Sequence, residues 1–203
     1  MRIIAGVKRG MKLFSPPPLL RFAKQSGGGS RPILDRVKQS LFDCLQKYDS
    51  PAGKIVADLF SGVGSLGLES LSRGAEFAAF IEKDLKTAAI LKQNIAKAGF
   101  ANQSMVLIAD AFKTGAAPVP GRPKYNLVFV DPPYIRTSDV GADSDLANLM
   151  KILVDQTANN ALVIVRTHKD IELPDSYDGF KIVDRRHWGS MAVTFLMRLK
   201  NDK

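Results

Sequence analysis

With 203 residues, 45% of them hydrophobic and 24% charged, the chain can bury the core of one α/β domain with a small appendage, so disorder is not the expected state. The longest apolar runs, 127–130 and 161–165, are strand-sized and far short of the roughly 20 residues of a membrane-spanning helix. A lone cysteine, Cys44, excludes an intramolecular disulfide and a cysteine-based metal centre, and no metal is expected.

The first residues carry Lys8, Arg9 and Lys12 where a signal peptide needs an apolar stretch, so the expected compartment is the cytoplasm. The net charge of +9 is unevenly spread. Residues 1–54 hold 11 Lys or Arg against 3 acids, residues 55–179 hold 12 against 15, and residues 180–203 hold 6 against 2. A neutral body with basic ends points to a polyanion laid across it, and nucleic acid is the natural candidate.

Residues 2–7 and 11–14 flank Lys8-Arg9-Gly10 and predict a small basic β-hairpin. Ser15-Pro16-Pro17-Pro18 stops regular structure, and Ser26-Gly27-Gly28-Gly29-Ser30 predicts a loop. From 35 to 48, Val37, Leu41, Cys44 and Leu45 recur at helical spacing, with Asp35 as the expected N-cap and Cys44 in the core. After Ser50-Pro51-Ala52-Gly53 the pattern changes to strands at 55–60, 77–81, 105–109, 126–130, 161–166, 181–185 and 192–199. Helices are expected at 65–73, 84–98 and 143–156. Strands joined by helices predict a parallel, doubly wound sheet, and the last two strands, separated only by a turn, predict an antiparallel edge. The expected organisation is a basic extension over residues 1–50, made of hairpin, Gly/Pro loop and helix, packed on a catalytic domain over residues 51–203.

The first chemical motif ends the first central strand: Asp58-Leu59-Phe60-Ser61-Gly62-Val63-Gly64-Ser65-Leu66-Gly67. Gly62, Gly64 and Gly67 permit a tight strand-to-helix turn that a cofactor can approach closely. Glu82 ends the next strand, where carboxylates bind ribose hydroxyls. Asp58 discriminates between cofactors, because a carboxylate ahead of the glycine loop repels a pyrophosphate and suits the ammonium of a methionine moiety. S-adenosylmethionine is therefore favoured over NAD. Asp110, followed by Ala111, closes the third strand where an adenine amino group could be bonded.

The second motif is Asp131-Pro132-Pro133-Tyr134, directly after the strand at 126–130. Two prolines fix a stiff turn at a strand's carboxyl end, where open α/β sheets hold ligands. The exocyclic amine of a base is a poor nucleophile because its lone pair is delocalised into the ring. Hydrogen bonds from that NH2 to the Asp131 carboxylate and the Pro132 carbonyl would draw the nitrogen towards sp3 geometry, and Tyr134 would stack on an extruded base. The expected reaction is amino methylation of a nucleobase. Lys8, Arg9, Lys12, Arg31, Arg36 and Lys38 are the expected phosphate contacts.

The chain resembles the RsmD-type 16S rRNA guanine-N2 methyltransferases along nearly its whole length. Three segments carry the resemblance besides the tetrapeptide: Arg2-Ile3-Ile4-Ala5-Gly6 with 8–13; Arg31-Pro32-Ile33-Leu34-Asp35-Arg36-Val37-Lys38 with Leu41-Phe42; and Asp58 to Gly67 continuing through Leu68-Glu69-Ser70-Leu71-Ser72-Arg73-Gly74-Ala75. The resemblance implies a seven-stranded Rossmann-like methyltransferase sheet, Glu82 on the ribose, Asp110 facing the adenine and Asp131 to Tyr134 holding the guanine amine. It also implies a monomer acting on 16S rRNA or the assembling small subunit, with no membrane partner. A DNA or other RNA amino methyltransferase is the alternative, and an NAD-dependent oxidoreductase a more remote one.

Overall fold

The computed structural model describes residues 1–16 and 34–200; the Gly-rich loop and Arg31 lie outside the described residues. Eight strands form one sheet: β1 (Ile55–Leu59), β2 (Phe77–Ile81), β3 (Ser104–Leu107), β4 (Tyr125–Val130), β5 (Thr157–His168), β6 (Ser176–Tyr177), β7 (Phe180–Trp188) and β8 (Met191–Arg198). Their order is β3-β2-β1-β4-β5-β8-β7-β6. The first five positions are parallel and the last three antiparallel. The five α-helices of the described residues are α1 (Asp35–Leu45), α2 (Ser65–Ser72), α3 (Leu85–Ala98), α4 (Ala111–Thr114) and α5 (Asp145–Gln156).

Strands β1 and β2 are buried at every position, as their apolar runs, broken only by Asp58 in β1, require of central strands covered on both faces. One face carries Leu66, Leu68 and Leu71 of α2, Leu91 and Ile95 of α3, and Leu41, Phe42 and Leu45 of α1. Ile3 and Leu13 from the first residues enter that same core. The other face is closed by Leu146, Leu149, Met150 and Leu153 of α5, which recur at helical spacing. The Rossmann-like sheet is as expected. Its eighth strand, β6, is a two-residue pairing at the edge.

Two local expectations need correction. Residues 2–14 form one antiparallel bridge, Arg2 to Lys12, around a 3-10 turn at Gly6–Lys8, instead of a full hairpin. The Ile3 amide still donates across to the Met11 carbonyl at 2.9 Å, but the next inward amide, that of Ala5, donates to the Glu69 carboxylate at 3.0 Å instead, and the outward Ile4 amide donates to the same carboxylate at 2.7 Å. Asp35 is the first residue of α1 and not its cap; Leu34 occupies the cap position, and Asp35 accepts from Arg2 Nε at 2.9 Å.

Candidate active site

In the parallel half of the sheet the strand order reverses between β1 and β4, so their carboxyl ends open the crevice where such sheets take ligands. The glycine loop leaves β1 there. Asp58, only 2% exposed, accepts from the Gly67 amide at 2.8 Å and so ties the start of α2 back to the strand. Burial pushes its carboxyl up to about 8, against the hydrogen bond from Gly67, and the nearby charges of Asp131 and Glu82 push the same way as burial. The three glycines divide their work. A Cβ on Gly67 would meet the Phe80 ring at 2.3 Å, and one on Gly64 would meet Leu91 at 2.5 Å, so these two permit helix-to-sheet packing. Gly62, with φ +56°, has open space where its side chain would be.

Glu82 ends β2 beside this loop. Its Oε2 accepts from the Gly62 amide and its Oε1 from the Asp84 amide, both at 2.9 Å. The carboxylate thus sets the loop's position at the carboxyl end of β2. Asp84 caps α3 through the Thr87 amide at 2.8 Å, and Asp110 caps the short helix α4 through the Phe112 amide at 3.1 Å. Phe60, just after β1, and Phe112, on the short helix α4 that follows β3, meet with ring centroids 4.7 Å apart. Arg136 lies over Phe112 at 4.8 Å and pairs with Asp145 at 2.5 Å.

Pro132 is buried and Pro133 half-buried in the turn after β4, and Tyr134 opens a 3-10 turn over Tyr134–Thr137. Asp131 is ion-paired with Arg166, a residue sequence reasoning placed only at the end of a strand. Arg166 is 4% exposed, and its guanidinium lies 5.8 Å from the centroid of the Tyr134 ring. His168 meets the same ring edge-on at 5.9 Å, and its Nδ1 lies 3.2 Å from Asp170.

The basic residues separate into two groups. Arg9, Lys12 and Arg36 are exposed, while Lys8 is half-buried with its ammonium 5.9 Å from the Phe100 ring. Lys38 is not a surface cation. It is 1% exposed, lies 3.2 Å from Glu69, donates to the Arg2 carbonyl at 2.7 Å and is withdrawn from the expected phosphate contacts. Burial pushes its ammonium below the ordinary lysine range while Glu69 pulls the other way. Its role is to join the first residues to α2.

The residues present fit a methionine-based sulfonium cofactor. Asp58 is a deeply buried carboxyl whose ionisation a bound ammonium would favour, Gly62 leaves room at the loop, and Glu82 stands at the next strand end. The sheet, the acid-flanked glycine loop and the stiff Asp-Pro-Pro-Tyr turn beside it define a methyltransferase of the S-adenosylmethionine-dependent class.

Residues 1–197 match the model of the family described as conserved hypothetical protein 95, and the chain belongs to that family. Ribosomal RNA small subunit methyltransferase D of Escherichia coli K12 is 37% identical over 202 residues, 98% of this chain and 90% of that protein. The solved structure of yhhF from Escherichia coli is 28% identical, covers 98% of each chain and superposes with a TM-score of 0.76. An RNA methyltransferase from Salinibacter ruber, solved in complex with S-adenosyl-L-homocysteine, shares the fold with a TM-score of 0.58 at 17% identity, over 85% of this chain and 97% of that one. Among the described residues no helix is long and apolar enough to cross a membrane.

Proposed function

We propose that this chain methylates the exocyclic N2 amine of a guanine in 16S rRNA of the small ribosomal subunit. The observation that carries this reading is the Asp131 to Tyr134 turn, placed by β4 directly beside the glycine loop of β1. The relative named for small-subunit rRNA methylation supports the choice of RNA over DNA. S-adenosylmethionine supplies an electrophilic methyl group. Asp58, Gly62, Glu82 and Asp110, with the Phe60 and Phe112 rings, would hold it. The Asp131 carboxylate and the Pro132 carbonyl would accept hydrogen bonds from the amine, strengthening as the nitrogen becomes positive, and Tyr134 would fix the base plane. Incubating the chain with methyl-labelled donor and either rRNA or duplex DNA tests the substrate class. Label in rRNA is expected; label only in DNA would favour the alternative amino methyltransferase. A thermal shift with NAD but not with S-adenosylhomocysteine would favour the oxidoreductase.

Glu82→Ala should weaken S-adenosylhomocysteine by about 1–3 kcal/mol, the range for losing hydrogen bonds to a charged acceptor. Both the ligand contact and the loop-setting bond to Gly62 are lost together. Calorimetry decides it. Unchanged affinity would move the ribose contact elsewhere, with Asp84 as the next candidate.

Residues 1–50 then act as an RNA-facing extension of a catalytic body over 51–203, with Lys8, Arg9, Lys12 and Arg36 on phosphates. If about four cations meet phosphates, log affinity for rRNA should fall with log salt at a slope of roughly −2.8 to −3.6, taking 0.7 to 0.9 per phosphate. An Arg9, Lys12 and Arg36 triple-alanine variant should flatten that slope by about 2 to 3 while S-adenosylhomocysteine binds as before. Equal slopes in a folded variant would remove this surface from RNA binding. The assignment implies a monomer working on rRNA or on the assembling particle.

A further inference from the structure

We propose that Arg166 is a positioning residue for methyl transfer: its guanidinium orients the Asp131 carboxylate towards the amine and braces the ring of Tyr134. The proposal rests on the reading of Asp131 given above. Strand register brings the pair together. β4 and β5 are parallel neighbours with Val130 opposite Val165, so the next residue of each comes side by side: Asp131 just past the end of β4, and Arg166 still within β5, paired with Val193 of β8. Their ion pair is buried on the arginine side, where a guanidinium would be costly without a carboxylate partner.

The prolines of the turn fix its backbone and leave the side-chain torsions of Asp131 and Tyr134 to their surroundings. β5 supplies those surroundings. Residues 166 and 168 point to the same side of the strand, and both reach the turn: Arg166 touches the carboxylate and lies against the tyrosine ring, while His168 meets that ring's edge. One rigid strand end therefore indexes both functional side chains of the tetrapeptide. A planar guanidinium suits this work, because it binds a carboxylate at a set angle and stacks on an aromatic ring, whereas an ammonium is a point charge. Leu162 and Ile164, earlier in the same row, lie in the apolar core. The row turns charged only where it reaches Asp131.

A purely structural ion pair is the competing explanation, and a mutant cycle separates the two. Single-turnover methyl transfer to rRNA, rRNA KM, S-adenosylhomocysteine affinity and thermal denaturation are measured for Arg166→Lys, Arg166→Gln, Asp131→Asn and the Asp131→Asn/Arg166→Gln double variant. Arg166→Gln should lower the transfer rate by on the order of a hundredfold, the scale of a misplaced reacting group, with KM and cofactor affinity within about twofold. Arg166→Lys should recover part of that loss, remaining about tenfold below wild type, since charge returns without the planar fork. In the Asp131→Asn background, removing Arg166 should cost far less than a further hundredfold, because its action through Asp131 is already lost and only its support of Tyr134 remains. A wild-type rate in Arg166→Gln, or losses that multiply in the double variant, would overturn the proposal. Where Arg166→Gln does not fold, a wild-type rate in Arg166→Lys overturns it equally. A near-normal rate in Asp131→Asn alone would overturn the reading of Asp131 itself, which distinguishes the two failures.

Discussion

Replacing Asp131 by alanine is expected to lower methyl transfer by about a hundredfold or more, while S-adenosylhomocysteine binds nearly as tightly as before. The carboxylate's work is done on the amine as positive charge develops there, so its loss falls on the transition state more than on cofactor binding. The variant also leaves Arg166 buried without its ion-pair partner, which lowers stability, so the rate must be read on protein shown to be folded at the assay temperature. Single-turnover rates with calorimetry on the same preparation decide it. Turnover close to wild type would remove Asp131 from the chemistry, and a parallel collapse of cofactor affinity would relocate it to the donor pocket.

The second large effect concerns stability. Glu69 is fully buried on α2 and gathers three elements. It accepts from the Ile4 and Ala5 amides and from Arg73 Nε at 2.8 Å, and it lies 3.2 Å from Lys38 of α1. Truncation leaves a buried ammonium and two backbone donors without their acceptor. Glu69→Ala should therefore cost about 3–5 kcal/mol, the usual penalty for breaking a buried pair on one side. In a chain of this size that lowers Tm by roughly 6–20 °C, at about 2–4 °C per kcal/mol. Glu69→Gln, which keeps one of the two acceptor oxygens and fills the same space but loses the charge, should cost less. Chemical and thermal denaturation measure both. A loss below about 1 kcal/mol in Glu69→Ala would mean that the first residues dock through apolar contacts such as Ile3 and Leu13 alone.

The centre of the sheet was legible because β1, β2 and β4 are short and almost wholly apolar, and its helices repeat at three and four residues. Ends were less so. β5 begins at Thr157, four residues before its apolar run, and β6 and α4 are shorter than any period can show. The Asp131 to Tyr134 turn stood out because two prolines cannot continue a central strand. Arg166 did not, since its meaning depends on β5 lying beside β4, a pairing that no local pattern encodes. Its signal was a charge ending the run Ala161 to Val165. Lys38 was misread because it lies among basic residues. Its helical phase held the correction: it precedes Leu41, Phe42 and Leu45 by three, four and seven positions, on the buried face of α1. The carboxylate that makes such a lysine tolerable, Glu69, is 31 positions further along the chain and could not be paired with it from sequence.

The most direct test of the proposed activity is to map modified nucleosides in 16S rRNA from cells lacking this chain, from cells complemented with it and from cells complemented with the Asp131→Ala variant. An N2-methylguanosine present only with the wild-type chain is the expected result. The same modification persisting in its absence, or methyl groups appearing instead on adenine, cytosine or DNA, would contradict it.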